Sequence, residues 1–479
     1  MKGLITFLAI LIAVLIMVLV PTLAAPYEDL YGPVTTTHCA MAIAVCVTTA
    51  AIAGFIIRRD KQYGSYLIKL FFLALFLRVI VGTAIYSFNA QDFFGGDVWQ
   101  YDYFGNMQML AWQGDGFARS MVRGYIGDGI RTGSAWGMVY FVGALYSIVG
   151  RNMLALQFFN AVVGAATAPL IFLCALEVFQ NTRVAKVAAV AVAFYPSLVL
   201  WSSQGLKDGP IVFSLVLCIL ATLKLGKRIT PLYLGVLVVA LFSVLALRFY
   251  VFYMILVAIG GAFVIGMRAV TSQSLLRQFL VIVALGLSMT YLGVTRYASA
   301  QLSQYGSLEQ IQRSRSDASS SAKSGFGRDV DVSTTSGALQ TIPVGLIYLF
   351  FAPFPWQFGS LRQSLTLPEM AVWWASFPLL ALGLWFSLRY RLRQMSPILI
   401  FTSMLTLAYS VFQGNVGTAY RQRSQLLVFY FIFVAVGAVL VKEKREGREK
   451  QESAIARSVR GRAGRLSITS SHMPAKESS

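Results

Sequence analysis

The sequence predicts an all-α, polytopic membrane protein of about 12 transmembrane helices, with further helices lying at its outer face. Three observations carry that prediction. Of the 479 residues, 57% are hydrophobic and only 13% are charged, where a soluble domain carries roughly 25% charged residues. Mean hydropathy is +0.66, and apolar runs of about 20 residues, the length that crosses a bilayer, recur along the whole chain. Basic residues cluster beside those runs, as the excess of Lys and Arg in cytoplasmic loops requires. That clustering accounts for the formal net charge of +20 without a nucleic-acid partner.

Apolar stretches predict helices over 4–24, 38–57, 67–88, 153–177, 185–201, 209–225, 231–247, 249–267, 277–294, 369–388, 396–412 and 425–442. Charge assigns the sides. "RRDK" (58–61), "NTRVAK" (181–186), "KLGKR" (224–228), Arg268 with Arg277, "RYRLR" (389–393) and "KEKREGREK" (442–450) should all be cytoplasmic. They can be so only if the apolar stretches 136–150 and 341–356 do not cross. At about 15 residues these are short for a crossing and read as interfacial or re-entrant helices on the outer side. The expectation is a multi-pass protein of the cell membrane with both termini cytoplasmic. The first span ends in "PTLAAP", as a cleavable signal peptide can, but its apolar core exceeds the roughly 7–15 residues of such peptides, which favours a retained anchor.

The membrane domain then covers 1–442, with outer segments 89–152, 295–368 and 413–424. The middle of the second, "SRSDASSSAKSGFGRDVDVSTTSG", is a Ser- and Gly-rich loop. The tail 443–479 is expected to be a basic, disordered cytoplasmic extension touching anionic membrane lipid. No internal repeat is evident, which weighs against transporters built from inverted repeats. The four cysteines all lie in apolar spans without a CxxC pair, and the two histidines are far apart, so neither a disulfide framework nor a Cys–His metal site is indicated.

Against this apolar background "FFGGDVWQYDYFG" (93–105) stands out, with Asp92, Asp97 and Asp102 among aromatics at the start of the first outer segment. A helix beginning at 97 would put Asp97, Tyr101 and Gly105 on one face. An Asp there can simply cap the helix. A concentration of carboxylates and flat rings at a membrane surface also suits a sugar site, since carboxylates handle hydroxyl protons and rings pack on a pyranose face.

Three stretches, "GGDVWQYDYFGNMQMLAWQGDG", "YSIVGRNMLALQFFNAVVGAATAPLIFLCALEVF" and "AFYPSLVLWSSQGLKDGPIVFSLVLCILATL", resemble the GT-C superfamily of membrane glycosyltransferases, in particular its bacterial protein-mannosyltransferase-like branch. The resemblance covers about 67–270, with the remainder similar in architecture. Family members carry an Asp, often followed by Glu, then Tyr and a small residue at fourth-residue spacing. Asp97, Tyr101 and Gly105 match those positions, while Val98 stands where Glu is common, so a second carboxylate would have to come from Asp102 or Asp92. The resemblance implies a polyprenyl-phosphate sugar donor, a glycan, lipid or protein acceptor on the outer face, and Asp97 as general base. Asp97 with Asp102 or Asp208 would also offer the oxygen ligands that Mg²⁺ or Mn²⁺ prefers, which leaves metal open.

A lipid-phosphate leaving group needs fixed cations. Lys207 and Asp208 in "QGLKDGP", Arg248 in "LRFY", and Arg421 and Arg423 in "GNVGTAYRQR" all fall at outer helix ends, against the positive-inside trend. Each can equally anchor a helix end by reaching the headgroups, and Asp208 can cap a helix, pair with Lys207 or serve as a second site carboxylate. Arg78, in mid-span, should face the bundle interior and find a carbonyl or an acid. The stretch 351–369, with Arg362 and Glu369, either lines a substrate groove or forms an aromatic interfacial belt. Two other functions share these features: a polymerase or ligase of polyprenyl-diphosphate glycans, leaning on the outer arginines, and a lipid-linked sugar transporter or flippase.

Overall fold

The computed structural model describes residues 35–94, 96–132, 135–265, 272–294, 306–320, 325–327, 330–356 and 364–469, with Pro21, Ala298 and Gln301 as isolated positions. The expected first span therefore lies outside the described residues except for Pro21, as do Arg268 and Arg362. Among the described residues the regular elements are helices, and the one extended pairing is an isolated bridge between Gly325 and Asn415.

Two long apolar helices open the described chain, α1 (Thr36–Arg58) and α2 (Gly64–Ser87). The first outer segment is itself helical: α3 (Gln91–Phe94), α4 (Asp97–Trp112), α5 (Gly116–Thr132) and α6 (Trp136–Val149). Asn152 then caps α7 (Met153–Phe179) by accepting from the Ala155 amide at 3.0 Å, one of the orphan N–H groups at a helix start.

The stretch expected as one span at 185–201 is two helices, α8 (Thr182–Phe194) and α9 (Pro196–Ser202), bent by 55°. Pro196 supplies the reason. It has no N–H for the Val192 carbonyl, so the helix must break. Arg78 fills the gap from α2, donating to Ala193 O at 2.8 Å and Val192 O at 3.5 Å. It also holds Ser202 Oγ at 2.9 Å and its own-helix Ala74 O at 3.0 Å. The mid-span charge thus finds carbonyls and a hydroxyl.

Beyond the break come α10 (Asp208–Leu225), α11 (Pro231–Leu247), α12 (Phe249–Ile265) and α13 (Ser272–Tyr291). The second outer segment contributes α14 (Leu308–Ser320) and α15 (Thr335–Phe351). Then follow α16 (Leu367–Tyr390), α17 (Leu392–Phe412), the short α18 (Val416–Gln422) and α19 (Ser424–Thr469). α16 and α19 approach backbone to backbone: a Cβ on Gly383 would collide with the Phe433 carbonyl, and one on Gly437 with that of Leu379. Small residues at helix contacts are how helices in lipid gain packing without a hydrophobic drive between them.

Among the described residues, seven helices are long and apolar enough to cross a membrane: α1, α2, α7, α10, α16, α17 and residues 424–448 of α19. The bent pair α8–α9 makes an eighth if it acts as one span. At 17 residues each, α11 and α12 are apolar but short, about 25 Å of helix against a hydrocarbon layer of about 30 Å. The chain is thus an all-α, multi-pass membrane protein. The helices at 136–149 and 335–351 are likewise below crossing length.

Residues 443–469 correct an expectation. They continue α19 rather than forming an irregular extension. Residues 442–450 are Lys, Glu and Arg apart from Gly447, types that lose little side-chain freedom in a helix, and Glu446 is tied to Arg183 of α8 at 2.9 Å. Nearby, Glu177 of α7 pairs with Lys224 at 2.8 Å and with Lys227. These contacts define one end of the bundle, where α7 and α10 finish and α8 starts. The acids and cations singled out in the outer segments gather at the other.

Candidate functional site

The site is built on two helix starts. α4 begins at Asp97, with Gly96 as its cap residue, so the Asp97 side chain is not spent on capping. One turn on, Tyr101 is buried and lies beside Lys207, whose Nζ is 6.0 Å from the ring centroid. A further turn on, Gly105 lets α4 press on α6, since a Cβ there would strike Val142. The helical face expected from the spacing therefore exists, and its three positions have different tasks.

The second start is α10, whose first residue is Asp208. The preceding loop is held from below by Asn160 of α7, which donates to Gln204 O at 2.7 Å and Leu206 O at 2.8 Å. Gly205 sits between Val98 of α4 and Leu156 of α7, with no room for a side chain. These contacts fix α10 against α4 and bring the two aspartates to one guanidinium.

That guanidinium belongs to Arg421 on α18. Its Nη1 donates to Asp97 Oδ2 at 2.8 Å, while Nε and Nη2 lie 2.8 and 2.6 Å from Asp208 Oδ2. The two carboxylates differ in setting: the Asp97 side chain is 49% exposed and that of Asp208 is 0% exposed. Behind them, Arg248 bridges α11 and α12 and places Nη2 3.6 Å from Asp208 Oδ1. Arg421 also lies over Trp201 of α9, 5.8 Å from its ring centroid.

With Lys207, the group comprises three basic side chains and two carboxylates. Burial, and then the neighbouring Arg248, lower Lys207 from the ordinary 10.5 to about 7. Burial first, with the Asp97 carboxylate next, pushes the hydroxyls of Tyr101 and of Tyr125 on α5 upward. Both phenols remain neutral donors facing the exposed acid.

Two expected site residues lie elsewhere. Asp102 is buried and accepts from Tyr146 at 2.6 Å and from Arg151 Nε at 3.0 Å. Five residues after Asp97, it turns to another face of α4 and clamps that helix to α6. Arg423 is also buried and donates to the carbonyls of Leu349, Phe350 and Ala352 at 3.1–3.2 Å. It closes the C-terminal end of α15, where carbonyls lack partners and positive charge is favoured. Asp92 is held by Trp99 Nε1 at 2.6 Å.

Asn160, Gln413 and Gln422 are contributors that the sequence reading does not single out, while Glu369 was expected only as part of the stretch 351–369. Asn160 was passed over, although a buried amide inside an apolar span is itself a signal. Glu369 of α16 accepts from Tyr420 at 2.7 Å, one residue before Arg421. Gln422 accepts from Gln413 at 2.6 Å and from Tyr250 at 3.4 Å. From Tyr420 to Arg423, each side chain of this short segment is therefore held by a different part of the bundle.

The residues do not fit a divalent metal. Asp102 is committed to Arg151, and the guanidinium of Arg421 sits between Asp97 and Asp208. No group of three His, Cys, Asp or Glu side chains placed to hold a metal occurs among the described residues. What the arrangement can do is hold an anion and present an exposed carboxylate beside it. Comparison of the chain with protein families, with curated proteins and with solved structures returned no match.

Proposed function

We propose that this chain is a membrane glycosyltransferase of the GT-C kind, moving a sugar from a polyprenyl-phosphate donor to an acceptor hydroxyl on the outer face of the cell membrane. Twelve crossings with both termini cytoplasmic belong to the same proposal, as does the placing of Asp97, Asp208, Arg248 and Arg421 on the outer side. The observation that carries it is the bridging of one exposed and one buried aspartate by Arg421, with Arg248 and Lys207 alongside.

The chemistry balances on those groups. The acceptor oxygen attacks the anomeric carbon and its proton passes to Asp97. The bond from the anomeric carbon to the phosphate oxygen breaks, and its electron pair leaves with the lipid phosphate. That phosphate gains one unit of negative charge as Asp97 loses one, so the net charge of site and substrate together does not change. Arg421, Arg248 and Lys207 supply the fixed positive charge on which the leaving phosphate develops, and the oxocarbenium-like centre forms between acid and phosphate, as in glycoside hydrolysis.

The test uses purified protein in lipid vesicles supplied with polyprenyl-phosphate hexoses and pentoses, wild type beside Asp97→Asn. Mass spectrometry follows release of free polyprenyl phosphate. Release by the wild type and its loss in the variant support the proposal, whereas equal release by both removes Asp97 as base. The central position of Arg421 also favours a second reading, a polymerase or ligase using polyprenyl-diphosphate glycans. Turnover of diphosphate donors alone would select it.

A further inference from the structure

Arg421 spends Nη1 on Asp97 and Nε on Asp208, while Nη2 lies 2.6 Å from Asp208 Oδ2 without a hydrogen bond, so a substrate phosphate that approaches this guanidinium competes with a carboxylate for it. One of its two partners has to yield, and the geometry says which. Asp208 is fully buried and accepts from Nε on one oxygen, with Nη2 2.6 Å from that oxygen and Arg248 3.6 Å from the other. Withdrawing a guanidinium from a buried carboxylate strands an uncompensated charge in a low-dielectric interior, the costliest way to break an ion pair. Asp97 is half-exposed and receives a single nitrogen, Nη1. A pair of that kind is worth at most about 1 kcal/mol, because water replaces what the carboxylate loses.

We propose that the donor's phosphate displaces Asp97 from Arg421, so that the base is released only when the donor is bound. Asp208 remains on Arg421 and keeps the guanidinium aimed; Asp97 turns from ion-pair partner to proton acceptor. Donor binding thereby precedes productive acceptor binding. This inference rests on the lipid-phosphate reading of the site, and its test separates the two.

The consequence runs against intuition: removing the base should tighten donor-side binding. Binding of a polyprenyl phosphate to detergent-solubilised full-length protein would be measured at low salt for wild type, Asp97→Asn and Asp92→Asn. Asp92 is an exposed acid on the preceding helix, bonded to Trp99, and controls for the general loss of one negative charge. Exchange predicts roughly threefold to fivefold tighter binding for Asp97→Asn, the affinity recovered when a half-exposed pair no longer competes, and no change for Asp92→Asn. Equal or weaker binding by Asp97→Asn, or the same tightening in both variants, overturns the exchange while leaving the lipid-phosphate reading intact. Absence of binding by wild type and by both variants overturns both.

Discussion

Arg78 donates its Nε to Ser202 Oγ at 2.9 Å, joining the middle of α2 to the end of α9. Through the same guanidinium α2 also holds the carbonyls that Pro196 leaves without donors. Arg78→Leu should therefore cost about 2–3 kcal/mol of stability, the penalty for stranding buried acceptors. Thermal unfolding in detergent measures it. A wild-type melting temperature would show that Arg78 adds no stability at the break.

Asp102 and Arg151 should behave as one unit. Asp102→Asn leaves Arg151 partly buried without its counter-charge and loosens α4 against α6, at about 2 kcal/mol, below the full buried-pair figure because Arg151 is partly exposed. Adding Arg151→Gln should cost less than the sum of the two single changes. Strict additivity in unfolding measurements would mean that the pair contributes no coupling.

Arg421 and Arg423 should separate cleanly. Arg421→Gln removes the cation between the aspartates and should lower turnover by more than about 100-fold, the order seen when a charge-stabilising donor is lost. Arg423→Gln should cost about 2 kcal/mol of stability through the carbonyls of α15, with donor affinity close to wild type. Donor titrations and melting curves on both variants decide the assignment.

Lys207 predicts a pH dependence. Its lowered value of about 7 means that the folded protein binds fewer protons than the unfolded chain between there and 10.5. The group's contribution to stability therefore rises with pH across that window, and its full cost is present below about pH 7. A phosphate beside Lys207 favours the charged form, so donor binding takes up a proton above that value. Affinity should fall as pH rises from about 7 to about 9, by up to tenfold per unit. Lys207→Met should flatten the profile, and an unaltered slope in that variant would assign the dependence to another group.

Much of this arrangement was legible in the sequence, for a physical reason. Arg421, Arg248 and Lys207 stand at helix ends that the charge pattern assigns to the outer side, against the positive-inside trend, and fourth-residue spacing placed Asp97 and Tyr101 on one face. Less legible was direction. Arg421 and Arg423 are two residues apart, about 200° around a helix, so one faces the aspartates and the other the end of α15. Nor does a short apolar run reveal whether it bends. The carbonyls freed at the break before Pro196 are met by Arg78, 118 positions earlier in the chain. Asn160, Gln413 and Glu369 look like stray polar residues until the helices that flank them are assembled.

The anchoring of Tyr420, Arg421, Gln422 and Arg423 to separate parts of the bundle gives α18 the character of a keystone. Tyr420 and Gln422 flank Arg421 and fix its direction from either side. Tolerance to substitution in this protein will consequently not rise smoothly with distance from Asp97. Replacements at Glu369 or Gln413, which hold the neighbours of Arg421 on either side, should lower turnover much as loss of an acid does, and a map of inactivating substitutions will trace the stones of the arch as clearly as the opening they frame.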